Sequence, residues 1–270
     1  MCMFSGNVGY VGKTKIFARG EGERQYLVYE MTYEAEEALA MILPVPVPRG
    51  TGEDGVSFIN LEGYPKFFED LAGLFANITR SQSRHFGMVA ANLAVVEVGS
   101  FIASFVPTIG DFERLSPQFQ LDEGIWSQLP QYQDYGFVVF QLDKGRKHVH
   151  PMAFSFPRRD SSRLFFPTVH VHEGDVPDKA EFEHDLYCQW EGDALGRVGE
   201  FYARWQSARN RVVENVLFGM QSELEVDEHH LVTPIGMFDF ELGQGVVAEE
   251  MPLYMAQLRQ MYANEDVWVG

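Results

Sequence analysis

Cysteine is nearly missing from this chain: Cys2 and Cys188 are the only two among 270 residues. Two thiols cannot supply the disulfide framework that small secreted domains depend on, so apolar packing has to hold the core. In a reducing compartment both are expected as thiols, with a single Cys2–Cys188 bridge as the alternative. Positive charge is scarce as well, with 21 Lys and Arg against 39 Asp and Glu and a net charge of −18. Such a surface repels phosphate backbones and anionic headgroups, which argues against nucleic-acid and membrane partners. No stretch approaches the roughly 18 uninterrupted apolar residues of a membrane span. The opening MCMFSGNVGYVGKTK also lacks a secretory apolar region, so the expected address is cytoplasmic. Asn77-Ile78-Thr79 matches a glycosylation acceptor, which has no meaning on such a chain.

Familiar catalytic motifs are missing too. There is no H-E-x-x-H, no C-x-x-C and no G-x-S-x-G. GNVGYVGKT imitates a phosphate loop, but Asn7 stands where the first glycine is required, and the TKIFAR that follows reads as a strand where a helix is needed.

What is present is apolar bulk. Hydrophobic residues make up 46% of the chain and aromatics 14%, with 22 phenylalanines, enough for the sizeable core of one domain spanning residues 1–270. TKIFAR (14–19), RQYLVYEMTY (24–33) and ALAMILPV (38–45) read as strands, ended by the proline-rich PVPVPRGTGEDG. YPKFFEDLAGLF places Phe67, Phe68, Leu71, Leu74 and Phe75 at helical spacing, which predicts one helix near 64–76. LAVVEVGSFIASFV (93–106) reads as a buried strand pair or as one strand bent at Gly99, and the prolines between 107 and 134 leave only loop and short helix there. YGFVVFQL, HVHPMAFSF, RLFFPTVHVH and FEHDLYCQW then suggest an antiparallel meander. Beyond residue 190 the pattern turns helical, with a long amphipathic helix near 194–218 and a C-terminal helix near 252–262. The expected class is therefore α+β: an antiparallel β-rich core over 1–190 with a helical layer over 191–270 packed on it.

The chemistry-bearing residues concentrate in KHVHPMAFSFPRRDSSRLFFPTVHVHEG (147–174). If its two arms form a hairpin centred on Asp160, then His148 faces His172, His150 faces His170, Met152 faces Thr168 and Phe154 faces Phe166, all on one side. Four imidazoles would then stand within reach of one divalent ion, zinc or copper. His184 and Cys188 share a parity and could join them as further ligands, with Glu173 and Asp175 beside the cluster as additional ligands or as acceptors for imidazole N–H groups. The competing reading is that these histidines simply pack or lie at the surface, and Pro151 and Pro167 restrict where the arms can pair.

Cys2 directly follows Met1, so removal of Met1 would place an α-amine beside a thiol, the arrangement of an N-terminal nucleophile in an amide hydrolase. MCM also offers soft ligands that suit copper(I). Asp227, Glu228, His229 and His230 read as a solvated loop.

MILPVPVP after several strands, FINLEGYPKFFEDL, YGFVVFQL leading into HPMAFSFP, and LFFP together resemble an uncharacterised bacterial family, domain of unknown function 2330. The likeness spans scattered parts of residues 14–170. It implies a β-rich core and no activity, and members of that family carry more cysteine and the marks of secretion. Three functions are open at this point: a metal-binding protein or metal-dependent enzyme, a hydrolase using Cys2, or a non-enzymatic module that binds a protein or small molecule.

Overall fold

The computed structural model describes residues 3–76, 97–98, 101–171, 174–190, 231–232, 238–251 and 253–269. The chain begins with β1 (Met3–Phe4), β2 (Tyr10–Glu21), β3 (Arg24–Ala35), β4 (Leu39–Val45) and β5 (Ser57–Asn60), followed by helix α1 (Phe67–Ala76). Then come β6 (Glu97–Val98), β7 (Phe101–Val106), a short helix α2 (Glu123–Gln128), β8 (Gly136–Leu142), β9 (Gly145–His148), β10 (Met152–Pro157) and β11 (Leu164–Phe166). The described remainder adds β12 (Lys179–Glu181), β13 (His184–Gln189), β14 (Leu231–Val232), β15 (Leu253–Leu258), β16 (Met261–Ala263) and β17 (Val267–Val269).

Two sheets dominate. One runs β1-β4-β8-β7-β6 and the other β14-β15-β13-β2-β3-β10-β5, with β9 also paired to β3. Alternation along the strands decides which residues lie between them. Met41, Leu43 and Val45 of β4 and Val138 and Phe140 of β8 face Leu27, Tyr29 and Met31 of β3 and Phe154 and Phe156 of β10, in one buried cluster. The outer faces are covered too. Ala40 and Ile42 pack under Phe112, Phe119, Ile125 and Tyr132 from the segment between β7 and β8. Phe17, Val28 and Tyr187 pack under Phe67, Phe68 and Leu71 of α1. Burial on both faces explains why LAMILPV reads as a continuous apolar run rather than an alternating one, since all seven of its residues are buried.

The β-rich core stands, but its wiring differs from the expected meander. β8 belongs to the first sheet and β10 to the second, while β13 lies parallel to β2, His184 opposite Thr14 and Gln189 opposite Arg19. The expected hairpin about Asp160 does not form. Asp160 does build the turn, accepting from Ser162 N at 2.9 Å and from Arg163 Nε at 2.8 Å. The arms part because β10 already has neighbours on both edges: Met152 lies opposite Tyr29 of β3 and opposite Asn60 of β5. β11 pairs instead with β17, Leu164 opposite Val269. The buried Gln25 side chain stands in as a ladder partner for β11, accepting from Phe165 N at 3.0 Å and donating to Phe165 O at 2.6 Å.

The C-terminal helix expected near 252–262 is also corrected, because that stretch forms β15 and β16. Short apolar runs fit either element, and the open edge of β13 supplies a ladder, from His184 opposite Leu258 to Gln189 opposite Leu253, that overrides helix propensity. The long helix expected near 194–218 lies outside the described residues, as do Gly99, Cys2, His172, Glu173 and the stretch 227–230.

Candidate functional site

The fold sends the predicted ligands to separate places. β9 follows β8 and pairs with the C-terminal half of β3, setting His148 opposite Thr32. Its Nδ1 lies 3.1 Å from Thr32 Oγ1, and its Nε2 lies 3.5 Å from Glu30 Oε1. Glu30 is buried at 1% exposure and accepts from Lys15 Nζ at 2.8 Å. Burial pushes its carboxyl above the ordinary range, while the Lys15 ammonium pulls the other way. Its second oxygen, Oε2, has no hydrogen-bond partner among the described residues.

His150 sits past the end of β9, where Pro151 interrupts the ladder before β10. Its ring lies 4.4 Å from that of Phe101 on β7, tilted by 47°, so it spans the gap between the sheets. Burial lowers its pKa, which keeps the ring neutral and apolar in character near neutrality.

His170 and His184 meet elsewhere. Their rings are 5.6 Å apart, and Phe182 lies 4.5 Å from the first and 5.1 Å from the second. Both are buried, His184 completely. Burial above all, with the neighbouring His170 and Arg259 adding to it, holds the His184 imidazole well below its ordinary range. The backbone around the pair is fastened by side chains: His170 N donates to Asn264 Oδ1 at 2.7 Å, and Arg259 donates to His184 O at 2.6 Å.

Cys188 shares the inward face of β13 with Leu186, within the inter-sheet core. Burial pushes its thiol up to about 12. Asp175 accepts from Val176 N at 3.0 Å, a local turn contact. Thus His148 and His150 lie in one region, His170 and His184 in another, and Cys188 in the core. Among the described residues no three His, Cys, Asp or Glu side chains converge as a metal group.

What the fold does open is a cleft of about 300 Å³ at the end of the sandwich where β8 stops and β7 begins, against β9. Phe101, Ile102, Val149 and His150 form its apolar wall, while Asp143 and Lys147 stand beside it. Ile102 is 42% exposed. Lys147 Nζ donates to Asp143 at 2.8 Å, and Tyr33 Oη donates to Asp143 O at 2.6 Å. Sequence reading marked the two histidines and missed the cleft, because its walls come from positions far apart in the chain. The visible trace was KGRKH (144–148), a basic run in an acidic protein.

In overall course the chain resembles the crystal structure of baculovirus P35, with a TM-score of 0.51 and 11% identity, over 100% of this chain and 99% of that one. That likeness is one of fold. A mutated baculovirus P35 after caspase cleavage aligns with a TM-score of 0.49 and 12% identity over 95% of this chain and 98% of that one. The P35 of the caspase-8/P35 complex gives 0.49 and 11% over 96% of each. No protein-family model matches the sequence, and no curated protein matches it. No helix among the described residues is long and apolar enough to cross a membrane.

Proposed function

We propose that this chain is a non-enzymatic binding module that holds a protein partner in the cleft at the end of its sandwich. One observation carries the reading. The cleft brings half-buried His150 and 42%-exposed Ile102 to solvent over buried Phe101, beside charged Asp143 and Lys147, an apolar floor with a polar rim. By contrast Cys188, His170 and His184 are sealed inside, and Cys188 holds its proton firmly. An exposed isoleucine in a concave apolar patch is the kind of feature that marks an interaction site. Ile102→Glu tests this with little risk to the fold, because the side chain already meets water. Wild-type bait should retain from cell extract a partner that the variant loses. Equal capture by both would overturn the reading.

A second reading, a divalent-metal site, draws on the pairing of His170 and His184, two buried imidazoles of which His184 is held neutral and so ready to ligate. Zinc or copper would suit such donors. Cys2 and His172, the chain neighbours of Met3 and Val171, lie outside the described residues.

A further inference from the structure

We infer that β9 is a docking edge that takes one more strand, and that the segment it takes is extended and alternates acidic with aliphatic residues. This rests on the cleft being the partner's site and names the partner's chemistry.

β9 pairs on one side with β3, from Thr32 opposite His148 to Ala35 opposite Gly145, and no described strand lies on its other side. All four of its residues are exposed. A free edge of this kind offers backbone donors and acceptors at strand spacing to an incoming chain. Natural edges of this sort are commonly blunted by charge, which here also sets the selection rule.

The pleat divides the edge by face. Arg146 and His148 project to the outer face, where Thr32 and Glu30 also lie; Lys147 and Val149 project inward beside the cleft with Phe101. Because side chains alternate with period 2, an added strand must do the same. Its residue opposite Arg146 stands over a fixed cation, with the His148 ring next on that face, and the residue between them, opposite Lys147, drops toward the side of the sheet that Val149 and Phe101 occupy, where the Lys147 stem is apolar. The first is therefore acidic and the second aliphatic.

The local charges leave room for this. Glu34 lies 3.8 Å from Arg146, both more than half exposed, a contact too loose and too wet to saturate the guanidinium. Arg146 also lies over the Tyr10 ring at 5.2 Å, which fixes its position without neutralising it. Lys147 is taken by Asp143, and the Lys144 side chain adds a further cation next to β9. In a chain of net charge −18, this run sets the cations Lys144, Arg146 and Lys147 within four residues of one another.

The test uses the whole chain and four blocked peptides of about seven residues, read by calorimetry and by amide hydrogen exchange. The first alternates glutamate with valine; the second replaces glutamate by lysine, the third replaces valine by serine, and the fourth carries a central proline in place of valine. The glutamate–valine peptide should bind at least fivefold more tightly than each of the others, protect the amides of Gly145–His148, and lose at least fivefold in affinity to Arg146→Glu. Equal binding of the lysine peptide, or no effect of Arg146→Glu, would overturn the inference. Failure of every peptide, with a partner still captured in an Ile102-dependent way, would sink the acidic strand and leave the cleft reading standing. Loss of Ile102-dependent capture as well would sink both.

Discussion

The imidazole of His150 lies against the ring of Phe101 at 4.4 Å, and through that contact the connector between β9 and β10 is held to the first strand-end of the opposite sheet. The pair acts as the floor of the cleft and as a clasp between the layers.

His150→Ala should therefore cost about 1–2 kcal/mol of stability, the range for removing one partner of a buried aromatic contact. His150→Phe, which keeps a ring over Phe101, should recover most of it. Urea midpoints of the two variants check this.

Phe140 lies at the centre of the inter-sheet core, with the rings of Phe58, Phe101 and Phe154 all 6.0–6.2 Å away. Phe140→Ala should destabilise the fold by about 3–5 kcal/mol. A loss below about 1 kcal/mol in a denaturant titration would mean that this core is not the one described.

Lys15 and Glu30 form a half-sealed ion pair, with side-chain exposures of 22% and 2%. Glu30→Leu alone strands a cation against Phe68 and should cost about 2 kcal/mol, less than a fully buried pair because Lys15 reaches water. Adding Lys15→Met should restore much of that. The double-mutant cycle gives the coupling directly.

Stability should depend on pH in two opposed ways. The native state holds His184 neutral well below its ordinary 6.5, so below about pH 6.5 the unfolded chain takes up a proton that the native state refuses, and stability falls with falling pH. Asp266 is opposite in sign. Partial burial raises it from 3.8 to about 6, so its contribution is fully present below pH 3.8 and is lost as the pH rises through 6. His184→Leu should flatten the acid decline, and Asp266→Asn should remove the opposing slope between pH 4 and 6, both read from urea midpoints across pH.

If His170 and His184 hold a metal, untagged protein purified without chelator should contain about one zinc or copper per chain, and His170→Ala with His184→Ala should abolish it. Elemental analysis decides. A metal-free wild type whose thermal midpoint ignores chelators would remove this second reading.

The strands were legible wherever burial leaves a mark on the residues themselves. RQYLVYEMTY and ALAMILPV became β3 and β4 because both are rich in apolar and β-prone residues and are sealed on both faces through their centres, and the Phe67-to-Leu74 spacing became α1. The parity of His184 and Cys188 was readable for the same reason. Pairing was not, since it depends on which edge is vacant. The symmetry of the two HVH triplets suggested a hairpin, yet β3 and β5 occupy both edges of β10, and nothing within 147–174 records that. PLYMAQLRQMY satisfied a helical pattern locally and became strand because β13 had a free edge to fill. The cleft drew its walls from β7, from the end of β8 and from the stretch after β9, a meeting that only the folded topology arranges.

The parallel pairing of β13 with β2 has a consequence for how the chain is made. The long β2–β3 hairpin leaves the ribosome early, but the strand that covers β2's outer edge arrives about 170 residues later. Throughout that interval a twelve-residue strand waits with the backbone groups of one edge open to any neighbour. Nascent chains on adjacent ribosomes are such neighbours, so yield of this protein should rise when translation is slowed or initiation made sparse, even with the mature fold unchanged.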